Sequence, residues 1–140
     1  WTYNGDFCNP TGDFVNSYAD NNDGTVTDRR TGLMWQKGGS PEQMSWPNAA
    51  EYIKELNKKG FAGYKDWRLP TVPELASLME RSWLNEDVFL DPVFHADKKY
   101  CWSSDTMGVE RAWKSNFHLG FFLDFPMSEQ NSVKAVRDSK

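Results

Sequence analysis

A chain of 140 residues holds one domain with its own core, and at this size folding hides about two-thirds of the surface that the unfolded chain exposes. Hydrophobic residues at 39 % together with 10 glycines sit in the ordinary globular range, which excludes disordered, collagen-like and coiled-coil readings. A net charge of −4 argues against nucleic acid as the main partner, because that binding rests on basic surface that displaces phosphate counterions; it also weakens a polyanion such as a sulfated glycan as ligand.

Residues 1–19 are rich in Asn, Gly and Asp with scattered aromatics. They read as an irregular segment, a linker or an added strand, with a short strand around Phe14–Tyr18. Asp20-Asn21-Asn22-Asp23-Gly24 is a dense turn signal whose Asp-Gly pair supplies the positive φ of a tight hairpin. Thr25–Asp28 and Leu33–Gln36 are the strands on either side of a second turn, Arg29–Gly32. Ser45 then reads as an N-cap with Pro47 in the first turn. Trp46, Ala49, Ala50, Ile53 and Leu56 form one apolar stripe of a helix that ends near Lys59 and stops at Gly60. Thr71-Val72-Pro73-Glu74 is a capping box opening a second helix with Leu75, Leu78 and Met79 on its inner face. Periodicity then disappears from Leu84 to Lys99, a loop long enough to be functional or wrapped over a core. Strand-like stretches follow at Tyr100–Ser103, Arg111–Phe117, Gly120–Phe125 and Ser132–Arg137. The order of hairpin, two helices, long loop and late antiparallel strands is α+β.

Aromatic residues make up 15 % of the chain, with 7 Trp, 9 Phe and 5 Tyr. That is more than a core this small requires, so some rings belong at a contact surface. The longest nearly apolar run, Phe117–Leu123, is far below the roughly 20 residues of a membrane-spanning helix, so no membrane insertion is expected. Residue 1 is Trp rather than Met, which reads as the start of a processed or truncated product and leaves room for a removed signal peptide. Cys8 and Cys101 are the two cysteines. They are either buried free thiols or one long-range disulfide, which would fit an oxidising compartment.

Five ordered blocks carry a family resemblance. Asp23–Asp28 followed by Thr31–Gln36, then Gly63-Tyr64-Lys65-Asp66-Trp67-Arg68-Leu69-Pro70-Thr71 with Glu74-Leu75, then Trp102-Ser103-Ser104, Ala112-Trp113 with Asn116-Phe117, and finally Val136-Arg137, resemble the bacterial domain family named after the C-terminal domain of the Lcl collagen-like adhesin. The match covers roughly residues 20–137, so residues 20–140 read as the domain. The resemblance implies a C-type lectin-like fold, with two helices on short antiparallel sheets and long loops. It further implies an extracellular, surface or periplasmic location, adhesion to a glycan or protein on another cell or matrix, and a possible homotrimer. The chain departs from the pattern at Ala135, where members often carry Cys, so any disulfide differs from the family's.

Single residues take expected roles on that frame. Trp35, Asp66, Trp67, Arg68, Glu74, Trp102 and Trp113 are expected to be structural, Arg68 pairing with Glu74. The expected ligand face is the late region: Ser104, Asp105, Arg111, Lys114, Asn116, His118, Phe121 and Asp124. There, rings stack on the C–H faces of sugars and polar neighbours bond hydroxyls. Lys114, Asn116 and His118 are expected on an exposed face opposite a core of Trp102, Trp113 and Phe117. No cofactor is expected. Asp20, Asp23 and Asp28, with Asn22, are weak calcium candidates that miss the spacing of a calcium loop. Two rivals stand beside the binding reading: a trimerising head without a ligand, and a small hydrolase built on Ser103 or Ser104 with His118 and Asp105, which lacks nucleophile-elbow glycines.

Overall fold

The computed structural model describes residues 16–139. Two helices and two small antiparallel sheets make an α+β architecture. The first sheet is built from β1 (Tyr18–Asp20), β2 (Thr25–Asp28), β3 (Leu33–Gln36) and β7 (Val136–Asp138), in that spatial order. The second is β4 (Tyr100–Met107), β5 (Arg111–Asn116) and β6 (Phe121–Pro126). Helix α1 spans Trp46–Lys59 and α2 spans Val72–Leu78.

Local chemistry explains each turn. Asp20 accepts the amide of Asn22, and Asp23 accepts the amide and hydroxyl of Thr25, while Gly24 takes φ +89°. These are the side-chain-to-backbone bonds that make Asp and Asn turn formers, and they close the β1–β2 hairpin with Asp20 opposite Val26. All four residues of β3 are buried, because both faces of this strand are covered. Leu33 and Trp35 join Leu75, Val88 and Phe94 on one side; Met34 joins Leu56 and Trp67 on the other. The strand expected at Phe14–Tyr18 instead starts at Tyr18; residues 14 and 15 lie outside the described residues.

Ser45 occupies the N-cap of α1 but makes no side-chain cap bond; Ala49 and Leu56 anchor the apolar stripe, with Ile53 half-buried beside them. Gly60 ends the helix at φ 68°, its amide reaching the carbonyls of Leu56 and Asn57, as a left-handed C-terminal stop requires. The short α2 carries a complete capping box: Thr71 accepts the Glu74 amide and Glu74 accepts the Thr71 amide.

Strand β4 continues four residues past the expected Ser103, because a register shift between Trp102 and Thr106 absorbs the break in alternation and restarts pairing with β5. The expected strand at Ser132–Arg137 is divided. Asn131 bridges Met44 and Ser132 bridges Cys101, whereas only Val136–Asp138 joins β3. One buried segment thereby ties both sheets together. The long loop wraps the core: Val88, Leu90 and Phe94 are buried, and Asn85 donates to the carbonyls of Asp91 and Phe94.

Cys101 carries a free, fully buried thiol, which burial pushes up to about 11. Cys8, the other half of the bridge expected from the sequence, lies outside the described residues.

Candidate functional site

The residues of the central motif are held by one another. Arg68 presents both Nη groups to the Glu74 carboxylate at 2.7 Å, a fork geometry that is stronger and more directional than a single ammonium contact. Its backbone bridges Val136 in both directions. Asp66 receives Nε and Nη2 of Arg137 at 2.6 and 3.2 Å, and the Arg137 guanidinium lies 3.7 Å over the Tyr64 ring. The Trp67 indole donates to the Phe61 carbonyl, while Asn57 bonds both the amide and the carbonyl of Trp67. Asp66, Trp67 and Arg68 thus join β7, the end of α1 and the start of α2 respectively. Trp35, Trp102 and Trp113 lie in the interior.

The expected ligand face is not a single surface. Lys114 and Asn116 were expected to be exposed, yet each retains only 8 % of its accessible area. Both faces of β5 are covered: Trp113 faces α2, and the Ala112 side is closed by Trp102 and Phe125. Lys114 runs beneath that cover, its ammonium 3.8 Å from the Phe125 ring centroid and 5.0 Å from that of Tyr100, and it donates to Asn131 Oδ1 at 3.0 Å. Burial lowers its pKa. Asn116 braces the β5–β6 turn, accepting the amides of His118 and Leu119. Asp105 is drawn to the start of α2, where it accepts the Val72 amide at 2.7 Å. Ser104 is exposed and its amide is bonded to Pro70. Arg111 and Asp124 form an outward ion pair at 2.6 Å, which holds the Asp124 carboxyl below the usual range. Phe121 is half-buried.

His118 leads to a different arrangement. Its imidazole stacks on Trp83, centroids 5.3 Å apart and planes at 20°, and its carbonyl accepts the Trp83 indole N–H at 3.1 Å. Phe89 meets the Trp83 ring edge-on at 6.1 Å. Nδ1 of His118 lies 2.9 Å from the Asp87 carbonyl and 3.5 Å from its carboxylate. Lys99 closes the group with a 2.7 Å pair to Asp87; that contact lowers the Asp87 pKa and raises that of Lys99.

Three local features hold this cluster in place. The Phe89 amide donates to the Phe117 carbonyl, pulling the long loop against the end of β5. Gly120, at φ +81°, stands where a Cβ would lie 3.4 Å from the Phe89 ring. The Phe117 amide donates to the Lys99 carbonyl. The result is an outward platform on which Trp83 is 52 % exposed, with the Asp87 carboxylate, the Lys99 ammonium and the His118 imidazole beside it; Leu84 and Leu119, the chain neighbours of Trp83 and His118, are also exposed. One indole face is covered by His118, and the residue as a whole stays half exposed. Trp83, Asp87, Phe89 and Lys99 were not among the residues singled out from the sequence. The available signal was a Trp-Leu pair opening an aperiodic segment.

The calcium candidates are engaged in turn and pair chemistry. Asp20 pairs with Lys37 at 2.6 Å, and Asp28 accepts the amides of Ser17 and Arg30. Among the described residues, no group of three or more His, Cys, Asp or Glu side chains is placed to hold a metal ion. Of the hydrolytic set, the Ser103 hydroxyl donates to the Trp113 carbonyl and accepts the Asp105 amide, the Asp105 carboxylate is turned to the Val72 amide at the start of α2, and His118 faces Asp87. The imidazole is thus engaged with Trp83 and Asp87, away from both the serine hydroxyl and the Asp105 carboxylate. Among the described residues, no helix is long and apolar enough to cross a membrane.

No curated protein matches the chain. Residues 24–137 match the family model described as the Lcl C-terminal domain, from the glycine of the first hairpin through the Arg137 clasp, so the chain belongs to the Lcl C-terminal domain family.

Proposed function

We propose that this is a non-catalytic, extracytoplasmic adhesion domain of C-type lectin-like fold that grips a glycan or a protein through the Trp83–His118 platform. The observation that carries the reading is the pinned, half-exposed indole. A ring left in water while held by a hydrogen bond, a stacked imidazole and an edge contact has little rotamer freedom left to lose on binding, which lowers the cost of association. Aromatic surface with a charged rim suits both sugar C–H faces with their hydroxyls and the anchor residues of protein interfaces. Two helices set against short antiparallel sheets with a long wrapped loop support the lectin-like description. Membership of the family supports a surface role. The engagement of the His118 imidazole with Asp87 and Trp83, and of the Asp105 carboxylate with the Val72 amide, favours binding over hydrolysis.

The test is a glycan array and an extracellular-matrix protein array probed with the labelled domain. Binding to one ligand class that is lost in Trp83→Ala and reduced at least about tenfold in His118→Ala supports the platform. Retention of full binding in Trp83→Ala overturns it. Alanine changes at Lys114 or Asn116 are unsuited to this test, because both side chains are buried and their loss disturbs folding first.

A trimerising head is the second reading. It is favoured by the β4–β5 hairpin tip, where Met107 is 47 % and Val109 90 % exposed beside a cavity of about 360 Å³ that includes Pro47, Pro126 and Met127 in its wall. Solution mass separates the readings: a trimer that Val109→Glu dissociates supports the head, and a monomer removes it.

A further inference from the structure

A cavity of about 440 Å³ opens between the end of the first hairpin and the C-terminal half of α1, away from the Trp83 platform. Its apolar walls include Phe61, Leu56 and Pro41, and Tyr52, Lys59 and the Gly38 backbone also line it. Lys59 is the one formally charged residue among those lining it, and its ammonium has no ion-pair partner among the described residues. The Tyr52 hydroxyl accepts from Gln36 Nε2 at 2.9 Å, which leaves its own proton to donate.

The direction of the Gly38 amide follows from the peptide plane. The Lys37 carbonyl turns inward, toward the buried Lys134 ammonium at 3.3 Å and the His95 amide at 3.3 Å. In a trans peptide, N–H and C=O point to opposite sides. The Gly38 N–H therefore points away from Lys134 and His95, neither of which lines the cavity, whereas Gly38 itself does. That N–H makes no hydrogen bond within the described protein. A Cβ there would approach the His95 ring to 2.9 Å, so a larger residue would have to displace that side chain. Of the carbonyls at the end of α1, those of Leu56 and Asn57 accept the Gly60 amide.

We infer that this cavity is a binding site for a small organic anion: a carboxylate or phosphate ester received by the Gly38 amide, the Tyr52 hydroxyl and the Lys59 ammonium, with a single-ring or short aliphatic body against Phe61, Leu56 and Pro41. Three donors, one of them cationic, belong to residues that line one cavity with Phe61, Leu56 and Pro41. A bound acid satisfies all three while its body leaves water.

The test uses the isotopically labelled chain in solution, titrated with benzoate, with phenyl phosphate and with neutral benzamide while amide resonances are followed. The expected result is a saturable shift of the Gly38 amide with at least one of the acids and none with benzamide, and which acid binds tighter separates carboxylate from phosphate chemistry. Lys59→Gln, an exposed change that leaves the fold intact, weakens the acid by about tenfold, and Tyr52→Phe weakens it severalfold. The inference is overturned if neither acid gives a saturable shift, if benzamide binds as well as benzoate, or if Lys59→Gln leaves the affinity unchanged.

Discussion

At the scale of single residues, a half-buried carboxylate and a fully buried ammonium shape how this protein responds to pH. Burial pushes the Glu74 carboxyl upward, but the Arg68 hydrogen bonds, the Thr71 amide and the Arg68 charge outweigh it, so the net shift is downward. A carboxyl held below its unfolded value contributes stability that is complete above the unfolded pKa and is lost as pH falls through the folded one. Glu74→Gln therefore costs about 1–2 kcal/mol near neutral pH, and the gap to the parent narrows on acidification; urea midpoints across the acid range check this. Lys134 behaves in the opposite way. Burial lowers its pKa from 10.5 to about 8, so above about 8 the unfolded chain binds the proton that the folded chain releases, and stability rises with pH until the unfolded value is reached. The buried Cys101 thiol, raised from 9.0 to about 11, opposes this from about 9 upward, which confines the net gain to the window between about 8 and 9. Lys134→Met, measured by urea denaturation over the same window, abolishes that rise.

The elements depend on a few polar contacts at their ends. With only seven residues, α2 is too short to persist on its own and relies on its cap and its buried face. Thr71→Ala removes one arm of the capping box and lowers global stability by about 1 kcal/mol, while Thr71→Ser retains it; thermal or urea unfolding of the pair distinguishes cap loss from general damage. The β5–β6 turn depends on Asn116 in the same way. Asn116→Ala frees the amides of His118 and Leu119, so both exchange faster with solvent, and stability falls by about 1–2 kcal/mol. Amide exchange at Leu119 is the direct readout, and weaker ligand binding through a loosened His118 is its consequence. Both helices and the first hairpin were legible because caps, glycine stops and apolar spacing are local signals. The stretch from Ser132 to Arg137 misled because alternation describes an extended chain without saying which sheet it joins. Here it leaves one sheet and enters the other.

For the molecule as a whole, cohesion rests on contacts between residues distant in sequence. The segment from Asn131 to Asp138 bonds β4, Met44, β3 and the Asp66–Arg68 motif. Deleting residues 131–140 removes the fourth strand of one sheet and the partner of the other, so the truncated chain loses cooperative unfolding and amide dispersion; retained dispersion would contradict this account. The α+β class, the turns, the caps and the interior position of the tryptophans of the late strands follow from residue order alone, because each is a property of neighbours along the chain. The burial of Lys114 and the assembly of Trp83, Asp87, Phe89, Lys99 and His118 into one platform were decided only by tertiary structure. Which face of a strand meets solvent depends on what packs over it, and Phe125, Tyr100 and Asn131 reach Lys114 from other elements. The rings of the platform come from a helix exit, a loop and a hairpin turn, and only the folded chain brings them together.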